Sequence, residues 1–228
     1  MPYMPLTSVI IPALNEVGRI ARCLDSVCMQ AGDVESIVVD GGSTDGTTDL
    51  IPDKVRVLRG TRGRARQMNM GATHATGDVF LFLHADSALP PGAIEAIHRA
   101  LANTSIVGGT FRLQFDRDSP LLNAYAWCTR FRWRMFHYGD QGIFIRRDAF
   151  RSLGGFADIP IMEDVDLLAR MPSHGCVSVL PLRVTTSARR FEHFGIVRQQ
   201  LLNTLMVGLY SAGVSPTRLA SWYDNVHR

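Results

Sequence analysis

Lysine is nearly missing from this chain. Of its 24 basic residues only Lys54 is a lysine, and the rest are arginines. Against 21 acidic residues this leaves a formal charge of +3, too small a surplus to argue for a nucleic-acid partner. The arginines are either the mark of a GC-rich coding sequence or guanidiniums that grip phosphate or carboxylate with two hands. Composition does not separate the two. Cysteine is scarce as well. Cys23, Cys28, Cys128 and Cys176 show no CxxC spacing and no histidines at zinc-finger intervals. They read as reduced, mostly buried thiols of a cytoplasmic protein.

Long apolar runs and targeting segments are also lacking. "MPYMPLTSVIIPALNE" has no basic region before its apolar residues and runs straight into a strand, so it is not read as a signal peptide. The longest later apolar tract, Leu201 to Val214, contains Asn203 and Thr204 and falls short of the ~20 residues of a spanning helix. Two nucleotide fingerprints are missing. No GxGxxG follows the first strand, and in "GGSTDG" Ser43 stands where the second glycine belongs. No GxxxxGK[ST] occurs, and Lys54 is not part of one. Any phosphate must be held another way, commonly by a divalent metal on carboxylates.

What is present is an alternation of strands and helices. "SVIIPA", "ESIVVDGG", "VRVLRG" and "DVFLFLHAD" read as strands; "NEVGRIARCLDSVCMQ", "RARQMNMGATHA" and "PPGAIEAIHRALA" as helices, with "TDGTTDLI" a short one. This predicts βαβ units, a mostly parallel central sheet flanked by helices, and hence an α/β fold of Rossmann-like type. The second half is less regular: strands at "SIVGGTFRLQFD", "QGIFIRRDAF" and "VSVLPLRVTTS", and a helical C-terminal region. One domain over residues 1–195 with a helical extension over 196–228, packed on that domain, is expected. Each early strand ends in polar residues: Asn15 and Glu16, then Asp40, then Arg59, Arg62 and Arg66, then His84 and Asp86. Parallel sheets bind ligands beyond the carboxyl ends of their strands. Four polar ends in succession therefore predict a crevice lined by acids and arginines.

The motifs "SVIIPALNE", "IVVDGGSTDGT", "GRARQMNMGA", "FLFLHADS", "GGF" and "MEDVDLLAR" stand in the order and spacing of family-2 glycosyltransferases with the GT-A fold. The chain resembles that family over roughly residues 6 to 195, and "SARRFEHFG" resembles its bacterial radical-SAM/selenodomain-associated subgroup. The resemblance implies an inverting, metal-dependent glycosyltransferase. It would move a sugar from a nucleotide-diphosphate sugar, of UDP or GDP, to an acceptor hydroxyl. Pro12, Ala13 and Glu16 would line the base and ribose pocket, and Asp40 would hydrogen-bond the base. Arg62 and Arg66 would approach the diphosphate, unless one of them only orients Asp40. Asp86 would hold Mn²⁺ or Mg²⁺. His84, where the family usually has Asp, is a hydrogen-bond partner of the ribose, a second metal ligand, or a residue behind the site. Asp164 would be the general base, with Glu163 beside it and Asp166 capping the helix.

Gly139, Asp140 and Gln141 of "GDQG", with Glu163 and Arg190, are expected around the sugar or acceptor. Arg189, the other half of the subgroup's arginine pair, could grip the diphosphate or an acidic acceptor, and His193 is read as a late metal ligand or a structural residue. Arg130, Arg132 and Arg134 alternate with aromatics in "WCTRFRWRMF". With "LLNTLMVGLYSAG" they could meet a lipid-linked acceptor at the inner face of a membrane, close a lid, or make a homodimer contact. Two alternatives stay open: a non-catalytic nucleotide-binding module on the same fold, encouraged by His84, and a sugar-nucleotide pyrophosphorylase, disfavoured because "PALNEVGR" is no glycine-rich catalytic loop.

Overall fold

A computed structural model describes residues 5–131 and 139–226 of the chain. Arg132 and Arg134 lie outside the described residues. The elements run β1 (Thr7–Ala13), α1 (Ile20–Cys28), β2 (Val34–Asp40), β3 (Arg56–Arg59), α2 (Arg64–His74), β4 (Val79–Phe82), β5 (Ser87–Ala88), α3 (Ala93–Leu101) and β6 (Ile106–Phe115). There follow α4 (Pro120–Cys128), β7 (Ile143–Arg146), α5 (Arg147–Ser152), α6 (Glu163–Arg170), β8 (Cys176–Thr186), α7 (Arg189–Phe194), α8 (Ile196–Ser211) and α9 (Pro216–Val226).

The described strands form one sheet in the order β3-β2-β1-β4-β7-β6-β8-β5. β1 to β4 pair in parallel. β7 runs antiparallel to both β4 and β6, so β6 again points the way β4 does, and β8 follows it in parallel. The expected mostly parallel sheet is present. Because β7 is reversed, its start meets the end of β4, with Ile143 opposite Phe82. The turn before β7, carrying Gly139 to Gln141, therefore falls on the same edge as the ends of β1 to β4.

Alternating burial on the strands fills two layers. Val9, Ile11, Leu81 and Leu83 face α1 and α3, through Ile20, Leu24, Ile94 and Ile97. Ile10, Phe80 and Phe82 face α2, α5 and α6, through Met68, Phe150 and Leu167. Phe82 packs on Phe150 and Phe156 with ring centroids 5.1 and 4.7 Å away. A smaller cluster joins α4 and α7 to β6 through Leu113, Phe115, Leu122 and Phe191.

Two expectations are corrected here. The strand read through "QGIFIRRDAF" stops at Arg146 and continues as α5. The thiols are not mostly buried: Cys23 is, Cys128 is intermediate, and Cys28 and Cys176 are exposed. No described helix is long and apolar enough to cross a membrane.

α2 is clamped to the ends of the central strands. A Cβ on Gly71 would overlap Ile10, so the helix lies close on β1. The fully covered amide of Gln67 donates to the carbonyls of Ala13 (2.9 Å) and Val39 (2.7 Å). Gln67→Met keeps the volume and removes both bonds. It is expected to cost about 1–3 kcal/mol, from two hydrogen bonds of ordinary net strength. Urea unfolding measures it, and an unchanged midpoint would refute the clamp.

Candidate active site

The loops after β1 and β2 are stitched together by side chains. Asn15 N–H donates to Ser43 Oγ (2.9 Å), and Asn15 Oδ1 accepts from Thr44 N–H (2.9 Å). Glu16 N–H donates to Thr47 Oγ1 (2.8 Å) and Val17 N–H to Asp45 Oδ2 (3.1 Å). Asp40 is buried at the end of β2, where its carboxylate accepts from Gly42 N–H and Ser43 N–H at 3.1 Å. It holds the loop from beneath. Glu16 is ion-paired to Arg19 (3.5 Å) and to Arg189 (3.2 Å), tying α7 back to the β1 loop.

These loops wall a cleft of about 230 Å³ lined by Pro12, Ala13, Glu16, Arg62, Gly63, Arg64, His84, Asp86 and Arg190. α2 starts at this cleft: its N-cap is Gly63, with no side-chain cap, which leaves the positive end of the helix available to an anion. Arg66 does not take part. It points to Asp158 (2.8 Å), both side chains more than half exposed. The residue the sequence motifs did not single out is Arg64, two positions from both Arg62 and Arg66.

A second cavity of about 360 Å³ adjoins the first and shares Arg64 and Arg190 with it. Its other walls include Tyr125, Asp140, Met162, Asp164, Phe191, Met206 and Tyr223. At the junction the groups are close-packed. His84 Nδ1 lies 2.8 Å from Asp140 Oδ1. Gly139 sits between His84 and Asp164: its N–H donates to Asp164 Oδ2 (2.5 Å), and a Cβ there would lie 2.9 Å from His84 Nε2 and 3.0 Å from Asp164 Oδ2. Asp164 Oδ1 accepts from Val165 N–H (2.8 Å). Glu163, 1% exposed, has Arg64 Nε 2.8 Å from its Oε1. That N–H does not aim at the oxygen, and neither carboxylate oxygen of Glu163 has a hydrogen bond among the described residues. The contact is an ion pair without hydrogen-bond geometry.

Charges follow from this packing. Burial pushes the Glu163 carboxyl up; Arg64 opposes this and Asp164 adds to it. Burial works against a charged His84, but the hydrogen bond and charge of Asp140 outweigh it and raise the imidazole pKa. Partial desolvation would raise the half-exposed Asp140, yet His84, Arg190 and Arg64 hold it below the usual carboxylate range. Partial desolvation works against the charge of Arg64, but Glu163, Asp164 and Asp140 outweigh it and hold the guanidinium protonated.

The remaining expected residues fall elsewhere. Gln141 is fully buried and lines neither cavity. Asp166 makes no helix cap: it is held by Arg170 (2.7 Å) and by the Tyr210 hydroxyl (3.1 Å), while the N-cap is Met162. His193 is exposed and packs on Phe194.

No cluster of three or more His, Cys, Asp or Glu with metal-binding geometry occurs among the described residues. Asp86 is half-buried and lines the cleft. Such a donor set suits a divalent cation held by one carboxylate and by substrate phosphates rather than by an all-protein cage. His84 has only Nε2 to offer, because Nδ1 is engaged by Asp140.

The profile described as glycosyl transferase family 2 matches residues 8–154. The chain belongs to this family. A PGL/p-HBAD biosynthesis glycosyltransferase of Mycobacterium bovis (strain BCG / Pasteur 1173P2) is 42% identical over 94 residues, so the match spans 37% of this chain and 37% of that relative's length. An uncharacterized protein of Mycobacterium tuberculosis (strain CDC 1551 / Oshkosh) is 28% identical across 97% of this chain and 82% of its own. Among solved structures, a mannosyltransferase from Pyrobaculum calidifontis in complex with GDP-Man and Mn²⁺ superimposes with a TM-score of 0.66 at 21% identity, covering 99% of this chain and 71% of that one. S. aureus TarS 1–349 in complex with UDP-GlcNAc gives 0.61 at 18% identity, covering 79% and 58%. The fold is GT-A.

The His84–Asp140 pair predicts a pH window for stability, best read in metal-free protein. A depressed Asp140 contributes stability above the unfolded carboxyl value of ~3.9, lost as pH falls through its folded value. A raised His84 contributes below its unfolded value of ~6.5, lost as pH rises through its folded value. The stability difference between wild type and Asp140→Asn is therefore expected to peak between about pH 4 and 6.5 and to shrink on both sides. Denaturant midpoints across that range test it; a difference independent of pH would mean the pair carries no charge.

Proposed function

We propose that this protein is an inverting, metal-dependent glycosyltransferase that moves a sugar from a UDP- or GDP-sugar to an acceptor hydroxyl. The observation that carries the reading is the pair of adjoining cavities: Asp86 lines one, Asp164 the other, and Arg64 and Arg190 line both. A donor laid from the β1 loop toward the wall formed by these arginines puts its reacting carbon where the two cavities meet.

In this reading Pro12, Ala13 and Glu16, with the loop held by Asp40, take the nucleoside. Arg62, Arg64, Arg190 and the uncapped start of α2 face the diphosphate, and guanidiniums suit its paired oxygens. Arg66, engaged by Asp158, drops out of this role. Asp86 would hold a divalent cation, Mn²⁺ or Mg²⁺, which when bound offsets the charge growing on the departing diphosphate. The acceptor enters the cavity walled by Tyr125, Phe191, Met206 and Tyr223. Its hydroxyl attacks the anomeric carbon from the side opposite the leaving group. Asp164 takes the proton: each of its oxygens accepts one backbone N–H and keeps a lone pair for that task. Gly139 allows the approach of His84 to Asp164, and Arg64 holds Glu163 beside them.

Two substitutions test the assignment. Asp164→Asn is nearly isosteric and is expected to lower kcat by ~10²–10⁴-fold, the usual worth of general-base catalysis, with donor KM little changed. Donor hydrolysis is the assay, since water can stand for the acceptor. A variant that loses melting temperature while its remaining folded fraction turns over normally would show Asp164 to be structural. Asp86→Ala is expected to abolish the Mn²⁺ dependence of nucleoside-diphosphate binding in calorimetry with the fold intact. Unchanged dependence would move the cation to His84.

A further inference from the structure

Outside the first cleft, and sharing only Leu113 and Phe115 with the second cavity, β6 and β8 place two arginines side by side. Arg112 and Arg183 are register partners on neighbouring parallel strands, directly after a register shift between Phe111 and Arg112. Like charges opposed across a strand pair destabilise a sheet, and irregularities of this kind re-aim side chains. No described carboxylate pairs with either arginine. The Nε of Arg112 is shielded from solvent with no hydrogen-bond partner, an arrangement that costs free energy unless an acceptor arrives.

Both arginines line one cavity of about 580 Å³, well inside the range of small-molecule sites. Arg130 closes another side, its guanidinium 4.3 Å over the Trp127 ring. The acids on the rim are already engaged: Asp116 accepts from Ala188 N–H (2.8 Å), Asp118 from Asn123 Nδ2 (2.7 Å), and Arg117 is neutralised by Glu192. Beside the cavity, Leu121 and Trp127 of α4 and Phe131 just after it are exposed.

The geometry points to a second anion site, for a phosphate ester gripped by Arg112 and Arg183, with its organic part along Trp127. Paired guanidiniums match phosphate oxygens better than any single cation. The volume leaves room for more than the phosphate itself, and the exposed apolar neighbours suit an ester that carries a hydrocarbon. This site is independent of the donor cleft and does not rest on the reaction proposed above.

The probe is inorganic pyrophosphate, titrated by calorimetry without metal into full-length Arg62→Met/Arg190→Met protein, whose donor cleft lacks two of its guanidiniums. Binding is expected to persist there. Adding Arg183→Gln, at an exposed position, or Arg112→Met is expected to weaken it at least about tenfold, about 1.4 kcal/mol, through the lost charge-assisted hydrogen bonds. Absent binding in the first protein, or binding unaffected by Arg183→Gln, overturns the site. Vesicles then identify the source. Capture by phosphatidic acid in phosphatidylcholine but not by phosphatidylcholine alone, lost with Arg183→Gln, supports the site as one for a lipid-borne ester. Pyrophosphate binding without vesicle capture supports it as one for a soluble phosphate ester.

Discussion

The arrangement depends on one guanidinium facing three carboxylates. Arg64 contacts Glu163 and lies within the field of Asp164 and Asp140. Glu163 is the buried member of the pair, and losing Arg64 would leave its charge uncompensated. Arg64 is the first residue of α2, where the macrodipole disfavours a cation. The acids of α6 reverse that penalty, and α6 itself starts with Glu163, Asp164 and Asp166 in its first turn, where the dipole favours them. Two helix N-termini thus face one another across the cleft, one carrying the cation and the other the anions. One turn further along α2, Gln67 fastens the helix to β1 and β2. The position of Asp164 is therefore tied to the central sheet through α2 as well as through its own helix.

Local backbone strain sits at the same place. The described non-glycine residues with positive φ are Asn15, at 55°, and Met162, at 69°. Asparagine tolerates that region; methionine does so at a cost. Asn15 precedes Glu16 in the donor cleft and Met162 precedes the Glu163–Asp164 pair. Strain persists only where surrounding contacts over-determine it. Here those contacts are the stitched β1 and β2 loops on one side and the Arg64 and Gly139 contacts on the other.

The sheet and its edge were legible because they rest on local patterns. Unbroken apolar runs marked β1, β2 and β4, and the polar residues that end them had to fall on one edge once the strands were parallel. Pairings between distant segments were not legible. Arg62 lies just before α2 while Arg64 and Arg66 lie in its first turn, and only the packing of α6 and of the Asp158 loop decides that Arg64 turns inward and Arg66 away. His84 found Asp140 across 56 positions because β7 runs backwards, a reversal that no period in its four residues announces. Asp166 looked like a helix cap by spacing, yet α8 brings Tyr210 to it.

The departure at His84 fits a division of labour at the strand end. A carboxylate there would stand with Asp140, Asp164 and Glu163 in a set of acids served by Arg64 and Arg190, and like charges that close cannot all ionise cheaply. An imidazole there adds no negative charge, and its Nδ1 contact with Asp140 ties the strand end to the turn that carries Gly139. Asp86 is then left as the carboxylate of this strand end that faces the donor cleft. A single carboxylate binds a divalent cation weakly until a diphosphate completes the coordination. On the proposed reaction, cation and donor therefore enter together, and the histidine keeps the acid cluster on the acceptor side from competing for the ion.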